Sequence, residues 1–156
     1  MLEEPNMKKV DSKIEIPIYS DYFQDCEIRN DFKKEFISLW PMWLGKEKLH
    51  ELDEVTETNW EKFNSLIRYI FEEHKLFVVN FDKATISKID DIENTLASYD
   101  SSMNKSSSEF SAYVISDLDC VLTEDWDYTF IIWYKNKNAI EKLNPIIKKS
   151  ELYHFS

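Results

Sequence analysis

Hydrophobic and polar positions recur along this chain in patterns that predict strands and helices. The most apolar and most β-branched run covers residues 112–135, and within it residues 113–115, 120–123 and 128–134 are rich in Val, Ile, Thr and aromatic side chains. That composition is typical of strands in a pleated, half-buried sheet. Residues 76–81 (LFVVNF) form a shorter run of the same kind. We predict two or three adjacent antiparallel strands in the first run and another strand of that sheet in the second.

Apolar residues three or four positions apart predict helices elsewhere in the chain. Residues 58–74 are the clearest case, because a Thr-x-x-Glu capping box that begins at Thr58 precedes one continuous apolar stripe. The same spacing predicts helices at residues 31–44 and 88–99. A short C-terminal helix interrupted by Pro145 is expected to turn three side chains toward the core, namely Ile140, Leu143 and Ile147.

The order of these elements predicts the fold class. Helices, a strand, a further helix and then adjoining strands are typical of an α+β protein whose helices pack on one face of a mainly antiparallel sheet, here ending in a C-terminal hairpin or meander. A chain of 156 residues can bury one substantial core. We expect a mobile tail at residues 1–13 and a single globular domain at residues 14–156. Alternation at residues 13–19 predicts a short edge strand.

Charge and composition narrow the classes of partner. The chain has 30 acidic and 19 basic residues and a formal net charge of -11. Direct binding of nucleic acid is disfavoured, because phosphate recognition depends on clustered Lys and Arg, and a basic protein is a more natural partner. No run reaches the roughly 18 apolar residues of a membrane span, and the amino terminus lacks an apolar signal region. We expect a soluble, unprocessed cytoplasmic protein. Its two cysteines suit a reducing compartment, and a single disulfide between Cys26 and Cys120 is the alternative.

Acidic residues gather beside the predicted C-terminal strands, where short polar side chains suit turns. Carboxylates at a rigid sheet edge would steer a basic partner toward rapid encounter. A tryptophan stands among these acids, and tryptophan is enriched at the hot spots of protein interfaces; the alternative is a turn aromatic that folds back onto the sheet. The partner-binding residues predicted on this basis are Asp117, Asp119, Glu124, Asp125, Trp126 and Asp127.

Residues 114–123 (VISDLDCVLT) resemble the first motif of the haloacid dehalogenase-type phosphatases. The resemblance implies a nucleophilic aspartate at Asp117, an acid/base aspartate at Asp119 and a magnesium ion between carboxylates and substrate. Only 33 residues follow Thr123, however, which is too few for the parallel strands that carry the other motifs of that family. Cys120 also stands where the family usually has glycine. We interpret the segment as a strand-turn-strand and keep a metal-dependent phosphohydrolase as an alternative function.

No other pattern in the chain specifies an enzyme, a metal site or a cofactor site. A calcium loop beginning at Asp117 would need a ligand where Val121 stands and a glycine that is missing. The single glycine, Gly45, excludes glycine-rich phosphate loops. The histidines are scattered, and each is interpreted as a surface or helix-end residue: His50, His74 and His154. We therefore expect no catalytic residue, no metal and no cofactor.

A small, acidic, glycine-poor and aromatic-rich domain that ends in the hairpin EDWDYTFIIWYK resembles the immunity proteins of bacterial toxin systems, including contact-dependent inhibition. The resemblance implies a protein that binds a cognate toxin domain, commonly a basic nuclease, and blocks its active site or substrate surface. It implies no reaction by the protein itself. A small cytosolic adaptor or regulator is the remaining alternative.

Overall fold

An antiparallel sheet of seven strands forms the centre of the structure, and a two-stranded ribbon precedes it in the chain. The computed structural model describes residues 15–97, 99 and 105–156, so the tail predicted at residues 1–13 lies outside it. The ribbon consists of β1 (Phe23–Gln24) and β2 (Glu27–Ile28), and the sheet of β3 (Lys33–Ser38), β4 (Leu76–Asn80), β5 (Thr85–Lys88), β6 (Ala112–Ile115), β7 (Cys120–Asp125), β8 (Thr129–Tyr134) and β9 (Tyr153–Phe155). The strands lie side by side in the order β5-β4-β6-β7-β8-β3-β9, and each neighbouring pair is antiparallel.

Two long helices accompany the sheet. The α-helices among the described residues are α1 (Tyr19–Tyr22), α2 (Glu57–Glu73), α3 (Ile92–Thr95) and α4 (Lys137–Lys149), and short 3-10 segments lie at Lys46–Glu54, Ser107–Glu109 and Ser116–Leu118. Only α2 and α4, with 17 and 13 residues, are longer than about one turn. None of the helices in the described ranges is long and apolar enough to cross a membrane.

The main core lies between one face of the sheet and the helices α2 and α4. Successive strand residues point to opposite faces, so every second residue of the central strands faces these helices. The side chains that meet there are almost completely buried, and they include Tyr113, Ile115, Leu122, Ile132, Phe63, Leu66, Ile67, Ile70, Ile140, Leu143 and Ile147. Burial of each large apolar side chain contributes roughly 1.5–3 kcal/mol. The predicted fold class, α+β with helices on one face of a mainly antiparallel sheet, is confirmed.

Among the described residues, only one corner of the other face of the sheet is covered. The segment from Tyr19 to Phe32, which contains α1 and the ribbon, packs on β4, β5, β6 and the start of β7. This second core includes Tyr22, Phe23, Phe32, Phe77, Ile86, Val114 and Val121. The opposite corner, formed by β8, β3 and β9, keeps half-buried and exposed aromatic side chains.

Several predicted elements are confirmed. The strands at residues 112–135 and 76–81 correspond to β6, β7, β8 and β4, and the helix at residues 58–74 corresponds to α2. The cap of α2 lies two residues earlier than predicted, where the Thr56 backbone N–H donates to Oδ1 of Asn59 at 2.9 Å. The interruption predicted at Pro145 is wrong, because helix α4 continues through this residue, which lies on its exposed side.

The helix predicted at residues 31–44 is wrong, because residues 33–38 form β3 inside the sheet. Strand β3 pairs with β8 on one side and β9 on the other, and these two ladders outweigh the helical spacing of its aromatic residues. The helix predicted at residues 88–99 is also wrong, since β5 ends at Lys88 and only the one-turn helix α3 follows. Residues 15–18 of the predicted edge strand are not in a strand, and β9 was not predicted.

Candidate protein-binding surface

The six residues predicted to bind a partner lie at two opposite ends of the sheet. Asp117 and Asp119 lie in the turn that joins β6 to β7, whereas the other four residues lie where β7 passes into β8. Strand β7 is six residues long, so it separates the two groups by roughly 17 Å. The six residues therefore do not form one surface, and each end has to be considered separately.

The acids of the first end form hydrogen bonds with neighbouring elements. The Asp117 carboxylate accepts a hydrogen bond from the Lys75 backbone N–H at 2.8 Å, and its second oxygen lies 2.7 Å from Nδ1 of His74 at the end of α2. Burial alone would raise the pKa of Asp117, but these hydrogen bonds outweigh it and hold the pKa below its usual value. Asp119 has a left-handed backbone, with φ of 49°, and accepts from the hydroxyl of Tyr22 at 3.2 Å. Both acids thus connect the turn to neighbouring elements.

The phosphatase resemblance does not extend to the architecture around this turn. Strand β6, which precedes Asp117, is antiparallel to both of its neighbours, whereas the family places its first aspartate after a strand of a parallel sheet. The Asp117 carboxylate is already bonded to His74 and Lys75. Across the described ranges, no group of three or more His, Cys, Asp or Glu side chains is placed to hold a metal ion.

The two cysteines are separate free thiols rather than a disulfide. Cys26 is exposed and Cys120 is buried. Burial raises the pKa of the Cys120 thiol, and the negative charges of Asp117 and Asp119 raise it further.

At the second end of the sheet, Glu124 is internal and cannot contact a partner. Its side chain is 1% exposed, and one oxygen lies 2.8 Å from Nζ of Lys105, whose side chain is 8% exposed. The other oxygen accepts from the backbone N–H and the hydroxyl of Ser111, at 2.9 and 3.1 Å. These bonds satisfy a buried carboxylate that would otherwise be very unfavourable. Glu124 is therefore a structural residue.

Trp126 combines the two alternatives that the sequence left open. Its indole N–H donates to the backbone carbonyl of Lys105 at 2.8 Å, and its ring packs edge-on against Phe110 with centroids 5.2 Å apart. The residue nevertheless remains 48% exposed. Lys105 thus forms the buried ion pair through its side chain and orients Trp126 through its carbonyl, so the exposed part of the ring has a defined position.

The two remaining acids flank Trp126. Asp125 accepts a hydrogen bond from the Trp126 backbone N–H at 2.9 Å. Asp127 and Tyr128 both have left-handed backbones, with φ of 62° and 57°, as tight hairpins require. Partial burial raises the pKa of Asp127, and the charge of Asp125 raises it further. Within the described part of the chain the Asp127 carboxylate accepts no hydrogen bond, so a cation brought by a partner would relieve its unfavourable environment.

Exposed apolar residues lie beside these acids, and two of them, Met42 and Trp43, belong to the segment predicted as a helix at residues 31–44. Met42, Trp43 and Leu49 are 67%, 55% and 47% exposed. They line a recess of about 60 Å³ together with Asp127 and Thr129. The signal available in the sequence was the pair of helix breakers, Pro41 and Gly45, that bracket Met42 and Trp43 and indicate a loop. We name this surface the hairpin end and define it as Met42, Trp43, Leu49, Asp125, Trp126 and Asp127.

The hairpin end also lies in an acidic part of the surface. The 3-10 segment Lys46–Glu54 that carries Leu49 contains four carboxylates and two lysines. Exposed rings beside carboxylates suit a cationic protein surface, because aromatic side chains provide contact area and acids provide complementary charge. Comparison of the chain with models of known protein families, with curated proteins and with solved structures found no match.

Proposed function

We propose that this protein is a cytoplasmic immunity protein, which binds a basic toxin domain through the hairpin end and so keeps the toxin from its substrate. The observation that carries the proposal is Trp126, half exposed, oriented by a hydrogen bond to the Lys105 carbonyl and flanked by Asp125 and Asp127. A ring that is already ordered loses little entropy on binding, which favours its use as an anchor. The function requires no reaction by the protein.

Charge supports a basic partner over other kinds. The chain has a net charge of -11, and the raised pKa of Asp127 reflects partial burial together with the nearby charge of Asp125. A Lys or Arg side chain placed between these two acids would replace repulsion by attraction. The surrounding carboxylates would also accelerate the encounter with a basic domain at low ionic strength.

The proposal expects a toxin gene beside the gene for this chain, and the domain that it encodes provides the test. Cells that produce both proteins should grow, and calorimetry should show an affinity that falls between about 0.05 and 0.5 M salt. The double variant Asp125→Asn and Asp127→Asn should bind more weakly at low salt and depend less on salt. A matched control removes the same charge from the exposed acids Glu72 and Glu73 at the end of α2 and should leave the affinity unchanged.

Four results would contradict the proposal. An affinity indifferent to ionic strength, or equal losses in the test and control variants, would show that the hairpin end is the wrong surface. Magnesium-dependent hydrolysis of a generic phosphate ester that Asp117→Asn abolishes would instead favour the phosphohydrolase. Binding of a partner without protection from any neighbouring toxin would favour an adaptor.

A further inference from the structure

The corner of the sheet that no described segment covers presents a continuous row of apolar side chains. Phe36 on β3 lies opposite Ile131 on β8 and opposite Phe155 on β9, so the three side chains point the same way from adjacent strands. They point away from α2 and α4, because their neighbours in sequence, including Ile37 and Ile132, belong to the core beneath those helices. This row is the apolar centre of the corner.

Aromatic residues extend the row on both sides. The Trp43 ring packs edge-on against Phe36 and Phe155, with centroids 4.7 and 5.1 Å away. Trp133 and Tyr153 lie on the same face of β8 and β9. We name this surface the aromatic face and define it as Phe36, Trp43, Ile131, Trp133, Tyr153 and Phe155. Trp43 belongs to the hairpin end as well, so the two surfaces are continuous.

Apart from Trp133, which packs against the second core, the aromatic face is not covered by the segment that packs on the rest of this side of the sheet. Trp43 and Tyr153 are 55% and 48% exposed, and the other four members are half-buried. Trp, Tyr, Phe and Met are enriched in the buried centres of protein interfaces, and large exposed apolar patches on soluble proteins mark interaction sites. The composition and exposure of the aromatic face are therefore those of an interface.

Charge indicates what covers this face. Asp125 pairs with Thr129 on β8. Thr129, Ile131 and Trp133 are alternate residues of that strand, so Asp125 points to the same side of the sheet as Ile131 and Trp133. Lys34 itself lies over the rings of Phe36 and Trp133, with Nζ 6.0 and 5.5 Å from their centroids, so the carboxylates rather than these rings are left for a partner's cations. A second copy of this chain would bring the same carboxylates and a charge of -11 against the first, so the two copies would repel each other.

We propose that the aromatic face is the apolar anchor site of the same toxin domain, which covers it with a segment that carries Lys or Arg beside apolar side chains. The inference rests on the proposed function and names where and how the partner is held. From β7 to β9 the surface spans three strand spacings, or roughly 14 Å, which a short segment of an ordinary-sized interface can cover. The apolar side chains would meet Phe36, Trp43 and Phe155, and the cations would meet Asp125 and Asp127.

The test uses the full chain and the toxin domain that the proposed function expects beside its gene. Trp43→Ala removes a largely exposed ring and should weaken binding at least about tenfold, as hot-spot residues do. Ile18→Ala is the matched control, since Ile18 is 64% exposed and lies in the N-terminal segment away from the face. It should change the affinity less than about twofold. Both variants should keep the thermal midpoint of the parent chain, which separates loss of contact from loss of fold.

A spectroscopic measurement reports on the face directly. Chains labelled with 5-fluorotryptophan should show a shifted fluorine resonance for Trp43 when the toxin domain is added, and Trp43→Phe assigns that resonance. The Trp60 resonance, from a helix on the opposite side of the sheet, should stay in place.

The outcomes separate the two proposals. If the toxin domain binds the parent chain and Trp43→Ala equally well while the Asp125→Asn and Asp127→Asn double variant still binds more weakly, the aromatic face is not the anchor. The proposed function, which Trp126 and its two flanking acids carry, then stands. If the toxin domain does not bind the parent chain at any salt concentration, both proposals fail. If sedimentation shows that the chain forms a dimer that Trp43→Ala dissociates, a second copy covers the face and the inference is overturned.

Discussion

Replacing Lys105 by methionine is expected to destabilise the fold strongly, because it leaves the buried carboxylate of Glu124 without its counter-charge. The two groups lie 2.8 Å apart, with side chains 8% and 1% exposed. Loss of one partner of a buried pair typically costs about 3–5 kcal/mol. The two hydrogen bonds from Ser111 remain, so we expect a loss toward the lower end, about 3 kcal/mol.

Urea denaturation followed by circular dichroism measures this loss. In a chain of this size about 3 kcal/mol corresponds to a fall of roughly 6–12 °C in Tm. The matched control is Lys62→Met, since Lys62 lies 3.7 Å from Glu151, whose side chain is 77% exposed. Exposed pairs are worth less than about 1 kcal/mol, so the control should change stability little.

A double-mutant cycle separates the pair from its surroundings. Glu124→Gln should also destabilise the protein, because it leaves Lys105 buried without a counter-charge. The double variant should then lose at least about 1 kcal/mol less than the sum of the single losses. Additive losses, or a Lys105→Met variant no less stable than the control, would refute the argument that the buried Lys105–Glu124 ion pair stabilises the fold.

Three further predictions concern other parts of the molecule. Burial alone would raise the pKa of Glu35, but hydrogen bonds from Lys137, Tyr134 and His154 outweigh burial and lower the pKa. The pKa of Asp117 is lowered by hydrogen bonds in the same way. Both carboxylates therefore contribute stability at neutral pH that is lost as the pH falls through their lowered pKa values. The free energy of unfolding of Glu35→Gln should fall less steeply with acid than that of the parent chain, and an unchanged pH dependence would contradict this. Ellman's reagent should modify Cys26 and spare Cys120 until the protein unfolds, and equal rates at both thiols would disprove the burial argument. Pro145→Ala should raise the unfolding free energy in urea by about 1–3 kcal/mol, because the exposed proline lies inside α4; a lower value would show that the proline is needed.

The turn that carries part of the hairpin end could be predicted from the sequence. Asp125, Trp126 and Asp127 were predicted to lie there because a tight turn between two β-rich runs is a local pattern. Glu124 belongs to the same acidic stretch of the sequence, yet its side chain points to the helix side of β7, where Lys105 covers it. Whether a carboxylate is exposed or buried depends on what packs above it, and that partner lies 19 residues away.

The aromatic face could not be predicted, because its members come from separate parts of the chain. Phe36 has helical spacing to Phe32 and Trp40, and this spacing favoured a helix over the strand that forms. Strand β3 is stabilised by pairing with β8 and β9, which are about 95 and 120 residues away in the chain. Pairing between strands that lie so far apart in the chain cannot be predicted from a short window of sequence.

The sequence by itself determined the α+β class, the C-terminal strands, helix α2 and the acidic turn, because each follows from a periodicity or a turn pattern within a few residues. Only the tertiary structure decided that the predicted acids divide between two ends of the sheet, that Glu124 is internal, and that β3 and β9 join an aromatic surface to the hairpin. Strand alternation sends neighbouring residues to opposite faces, and only the packing of distant segments decides which face is covered.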